Sequence, residues 1–128
     1  MKLRPQYHLR DSPRGLLAWD VRRLIGLTAG LPVTEIPLAE IRELDECFWF
    51  DGEGDAPTCR KIAEHAKLIA ETDLAYPIIL DPEGRVMDGM HRVCKALLEG
   101  QSGIRAVKLP TLPDPDFTGV AAEDLSYE

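Results

Sequence analysis

Long apolar runs are missing from this sequence, and none of its hydrophobic stretches is long enough to cross a bilayer. The opening residues Met1-Lys2-Leu3-Arg4-Pro5 lead into no apolar signal core. The expected location is therefore cytoplasmic, with no membrane partner. Cysteine is scarce. Cys47, Cys59 and Cys94 are an odd number with no C-x-x-C spacing, so no disulfide framework is expected. They read as reduced packing thiols, with Cys59 and Cys94 on buried helix faces; a metal-bound or reactive thiol is the lesser alternative. Basic residues are absent from 110–128, which hold five acids, and residues 35–55 set eight acids against Arg42 alone. With a net charge of −7, the surface repels nucleic-acid phosphates overall, so DNA is not the expected partner.

What is present is ordinarily globular. At 45% hydrophobic and 29% charged, 128 residues suffice for one domain, 1–128, with a modest core. Residues 1–25 carry six Lys/Arg against two acids, opposite in sign to the C-terminal end. The two ends are expected to pack together, within one chain or across a homodimer.

Residues 1–11 read as irregular. Ser12-Pro13 is a cap followed by proline at a first helical position, which predicts a helix over 12–29 with Leu17, Val21, Leu24, Ile25 and Thr28 inward. Arg10, Arg14, Arg22 and Arg23 then form a solvated face. Val33–Leu38 reads as a short strand and Leu38–Leu44 as a short helical piece. In the acidic loop 51–55, glycines alternate with acids, yet an EF-hand is ruled out. Its sixth position would be Ala56 rather than Gly, and its twelfth Ile62 rather than Glu.

A helix is predicted over 57–72, capped by Asp55 or Thr58. Its apolar stripe is Cys59, Ile62, Ala66, Ile69 and Ala70, and His65 lies at the stripe's boundary. Tyr76–Leu80 reads as a strand, Asp81-Pro82-Glu83-Gly84 as a type I turn, and Arg85–Asp88 as the return strand of a hairpin. A helix from Gly89 to Glu99 and a strand over 103–109 follow. The tail 110–128 is expected to be extended.

The chemistry concentrates at 84–95. The short run Arg85–Met87 ends in Asp88-Gly89, and Met90, Val93, Cys94, Leu97 and Leu98 at once take up helical spacing. Gly89 thus stands at a strand-to-helix junction, with His91 and Arg92 in the first turn. That turn offers free N–H groups and the positive end of the helix dipole. A glycine allows close approach, and His and Arg add donors for an anion, so Gly89, Met90, His91 and Arg92 read as a phosphate-binding turn. The bland alternative makes Asp88 an N-cap, Gly89 a tight turn, and His91 and Arg92 solvated surface.

Element order and motif together resemble the ParB N-terminal domain and sulfiredoxin superfamily over about 33–109. Ile62-Ala-Glu-His-Ala followed by Tyr76-Pro-Ile-Ile-Leu resembles the ParB helix leading into a P-I-x-V strand. Gly89-Met-His-Arg92 occupies the place of the ParB G-E-R-R box and is closer to the sulfiredoxin G-C-H-R box. The Asp-Gly-x-His-Arg form is also similar to that of free-serine kinases of this fold. The resemblance implies an α+β fold, a mixed β-sheet in a partly open barrel with packed helices, here with an extra N-terminal helix. It also implies a nucleotide at the turn, ATP or ADP or CTP, held by Gly89, His91 and Arg92. Met90 stands where sulfiredoxin has its catalytic Cys, so sulfiredoxin activity is not expected. The helix-turn-helix domain and second nucleotide box of ParB have no counterpart in the sequence, so neither is a centromere clamp.

The leading expectation is a nucleotide-binding protein, with phosphoryl transfer to an unknown small-molecule acceptor, or nucleotide hydrolysis, left open. Asp88 would hold Mg²⁺ or take the acceptor's proton, and Glu43, ahead of Asp45 or Glu46, would supply a second acid. One alternative is a ParB-related DNA-binding protein or nuclease using Arg10, Arg14, Arg22 and Arg23. The other is a regulatory interaction module using Trp49, Phe50 and the acidic tail.

Overall fold

The computed structural model describes residues 6–50 and 54–125. Its strands are β1 (Tyr7–Arg10), β2 (Leu17–Asp20), β3 (Thr34–Pro37), β4 (Ile78–Leu80), β5 (Val86–Asp88), β6 (Gly103–Lys108) and β7 (Phe117–Thr118). Its α-helices are α1 (Val21–Leu27), α2 (Cys59–Glu71) and α3 (Met90–Leu98). Short 3-10 helices at Leu38–Glu40, Arg42–Asp45 and Ala122–Asp124 complete the described residues.

A four-stranded sheet in the order β3-β6-β4-β5 forms the centre, with β4 and β6 parallel and the other pairs antiparallel. Its chain segment falls within the stretch expected to form the core. Successive side chains of a strand point to opposite faces, and here both faces are covered. Ile78 and Leu80 face a cluster with Leu38, Ile41, Met90, Val93 and Ile104. Ile79 faces the other way, onto Trp19, Leu24, Met87 and Leu109. That double burial explains the unbroken Ile-Ile-Leu run. Among the described residues the fold is α+β, with a mixed four-stranded sheet and an antiparallel three-stranded sheet β1-β2-β7, and no closed barrel forms.

The β4–β5 hairpin forms as its turn residues demand. Asp81 is buried, and its Oδ1 accepts from the N–H groups of Glu83 and Arg85 at 2.8 and 2.9 Å. Thr58 caps α2 by accepting from Lys61 N–H. The acidic loop expected at 51–55 lies partly outside the described residues.

Three expectations need correction. The helix over 12–29 forms only from Val21, capped by Asp20. Ahead of it the chain turns at Gly15, whose φ of 97° is left-handed, and Leu17–Asp20 becomes a strand. That strand pairs with β1, so residues 7–10 are not irregular. It also pairs with β7, so the tail contributes a strand of its own. Ala18 and Trp19 of this strand are both buried, Trp19 in the cluster with Leu24, Ile79, Met87 and Leu109, and no local periodicity reveals it.

The second correction concerns α2. It has no buried residue. Lys61, His65 and Ile69 are its half-buried face, while Cys59, Ile62, Ala66 and Ala70 of the expected stripe are exposed. Cys59 is therefore not a packing thiol, whereas Cys94 is half-buried and burial raises its thiol pKa. The third concerns the arginines. Arg10 is not solvated: it pairs with the buried Asp81 at 3.0 Å.

The oppositely charged ends do meet, within one chain. Asp116 accepts from Asp20 N–H at 2.8 Å and from Arg23 at 3.3 Å, and the Trp19 indole N–H donates to Pro113 O.

Candidate functional site

Asp88 closes β5, and Gly89 is the N-cap of α3 with φ 106°. A Cβ on Gly89 would lie 2.6 Å from Ile78 Cγ2 and 2.7 Å from Arg92 Nη2. Glycine is thus required both by the left-handed backbone and by space. No side chain caps α3. Its first-turn N–H groups therefore remain available to a ligand, with the dipole favouring an anion. Asp88 is not the cap.

Instead the Asp88 carboxylate accepts from Arg92 Nη2 at 3.0 Å, across one turn, with both side chains mostly buried. The same Nη2 lies 3.4 Å from Pro77 O. Arg92 is thereby folded back over Gly89. Its Nε is buried and has no protein acceptor. Met90 is buried in the core, which leaves only its amide for a ligand.

His91 faces α2. Its Nε2 stands 2.8 Å from His65 Nδ1. The Trp49 indole lies flat across both rings, with centroids 4.2 Å from His65 and 4.5 Å from His91 and planes within about 20°. Burial, then the neighbouring His65 and Arg92, push the His91 pKa down to about 4 against the opposing pull of Asp88. Burial lowers His65 as well. At neutral pH both rings are uncharged, and one donates its N–H to the other's lone pair. The sequence places His65 only at the margin of a stripe. Its meeting with His91 depends on how α2 packs against α3, for which no local signal exists.

Glu43 sits elsewhere. It is buried in the second 3-10 helix, where Oε2 accepts from Val86 N–H at 2.7 Å and lies 3.4 Å from Arg85 Nε. Arg85 also holds Glu46 in a two-pronged contact at 2.9 and 2.7 Å. Asp45 is exposed. Among the described residues, three clefts bear on these side chains. The Gly89–Arg92 turn opens on one of about 280 Å³, lined by Asp88, Gly89, His91 and Arg92 together with Leu68 and Glu71 of α2. Asp88 and Arg92 also border a second of about 600 Å³, walled by Val21, Ile25, Tyr76 and Val107. Glu43 lines the third, and none of the three is lined by both Glu43 and Asp88.

Neither a family model, a curated protein nor a solved structure aligns with this chain. The functional reading accordingly stands on residues and geometry.

Among the described residues no group of three or more His, Cys, Asp or Glu side chains is arranged to hold a metal ion.

Proposed function

We propose that the turn Gly89–Arg92 binds the phosphate of a nucleotide, of the adenine or cytidine class. The observation that carries this reading is the buried Arg92 Nε without a protein acceptor, beside an uncapped helix start. A buried guanidinium N–H is costly to leave unpaired, and a phosphate oxygen is a charge-assisted partner for it. Among the described residues, Asp88 is the carboxylate that holds Arg92, so an incoming phosphate competes with that side chain for it.

The same competition gives Asp88 its role. Released from Arg92, its carboxylate is placed to hold Mg²⁺ brought by the nucleotide, or to take a proton from an acceptor hydroxyl. Any transfer to a small-molecule acceptor falls to Asp88. Glu43 stands in a different cleft, which weighs against the two acids working as a pair. The ParB/sulfiredoxin-like arrangement belongs to this reading: the four-stranded sheet between residues 34 and 108, with the turn after β5, supports it.

The alternatives gain no support. Of the arginines a DNA-binding reading needs, Arg10, Arg22 and Arg23 are each paired with an acid. Trp49 and Phe50, needed for an interaction module, are half-buried, and both pack against His65.

The test is calorimetric binding of ATP, ADP, CTP and GTP, with and without Mg²⁺, to the wild type and to Arg92→Ala. Binding of one nucleotide, lost in a folded Arg92→Ala, is the expected result. Absence of binding by all four leaves Gly89–Arg92 a structural turn.

A further inference from the structure

The third cleft, of about 710 Å³, lies between β1 and the segment 46–49. Its lining includes four carboxylates, Asp11, Glu43, Glu46 and Asp55, against the guanidinium groups of Arg10 and Arg85. Both cations are already engaged, Arg85 by Glu46 and Glu43, and Arg10 by Asp81. His8, also in the lining, is buried, and Arg10 Nε donates to its Nε2 at 2.8 Å. The balance of the cleft is therefore negative.

Two buried polar atoms belonging to the lining residues have no protein partner. One is Glu43 Oε1, an acceptor, on a side chain only 2% exposed. The other is Arg10 Nη2, a donor. A buried carboxylate oxygen without a donor is a costly arrangement that a ligand N–H relieves. The aromatic residues Tyr7, Phe48 and Trp49 also line the cleft, and aromatic rings attract an organic cation in preference to an anion.

We propose that this cleft binds a small organic cation bearing a protonated amine and a hydroxyl, of the amino-alcohol or amino-sugar class. The ammonium donates to Glu43 Oε1, and the hydroxyl oxygen accepts from Arg10 Nη2. The site is separate from the phosphate turn, and the argument does not depend on nucleotide binding.

Titration calorimetry with ethanolamine and glucosamine tests this, with ethylene glycol and glucose as the same skeletons lacking nitrogen, and acetate as an anion. Saturable binding is expected for at least one amine and for none of the controls. Glu43→Gln keeps the side-chain shape and an acceptor for Val86 N–H but removes the charge, so it should weaken amine binding about tenfold or more. Failure of both amines to bind overturns the proposal, as does equal binding of the controls or undiminished binding to a folded Glu43→Gln. If that variant does not fold, wild-type NMR decides. The Val86 amide and Trp49 indole signals should move with the amine that binds, and their standing still overturns the assignment.

Discussion

His65 Nδ1 and His91 Nε2 meet at 2.8 Å beneath the Trp49 indole, joining α2, α3 and the connecting segment 46–50 at one point. The hydrogen bond needs at least one neutral ring. Both folded-state pKa values lie below the ordinary 6.5, that of His91 at about 4. His8 is likewise lowered to about 4, chiefly by burial. A histidine whose folded pKa is depressed contributes stability in full above 6.5 and loses it as pH falls towards 4. The melting temperature should therefore fall across that window. Buried His8 accounts for at most about 3 kcal/mol, and half-exposed His91 for less. His91→Gln should flatten the slope, and an unchanged slope would show that the pair does not titrate there.

Gly89→Ala should destabilise the fold by about 3 kcal/mol, because it combines a left-handed backbone with a contact against Ile78 that side-chain motion does not relieve. Denaturant titration measures this. A loss well under about 1 kcal/mol would mean that the turn relaxes freely, and a preformed anion site would lose its basis.

Asp88→Asn separates two roles for the acid. If Asp88 holds Mg²⁺, the variant should bind nucleotide about tenfold more weakly in Mg²⁺ and no more tightly without it. Tighter binding in the absence of Mg²⁺ would mark the carboxylate as an electrostatic obstacle competing for Arg92.

Asp116→Ala removes the acceptor of Asp20 N–H and the partner of Arg23. Stability should fall by about 1–2 kcal/mol by thermal or chemical unfolding. Because the stronger of these contacts is to a backbone amide, high salt should reproduce only a small part of the loss. An equal effect of salt on the wild type would assign the interaction to the exposed ion pair instead.

Thiol labelling should distinguish the cysteines. Cys47 and Cys59 are exposed, whereas Cys94 is half-buried with a raised pKa. The first two should react quickly with a disulfide reagent, and Cys94 should lag by an order of magnitude or more, since the thiolate is the reactive species. Equal rates would place Cys94 in a more open setting than the packing of α3 allows.

The sequence by itself determined the elements whose signals are local. Thr58 announces α2, Pro82 and Gly84 fix the β4–β5 turn, and Asp88-Gly89 marks the entry to α3; in each case a few consecutive residues carry the stereochemistry. Tertiary structure decided the rest. Leu17, Val21 and Leu24 satisfy a helical period, yet Leu17–Asp20 is a strand because β1 and β7 supply its hydrogen bonds from elsewhere in the chain. Likewise Arg92 and Asp88 are legible as neighbours on one turn. The His65–His91 contact spans 26 residues, and Glu43 reaches Val86 across 43. Such pairings arise from how helices and sheets pack, a choice made by the burial of the whole core and carried by no short stretch of residues.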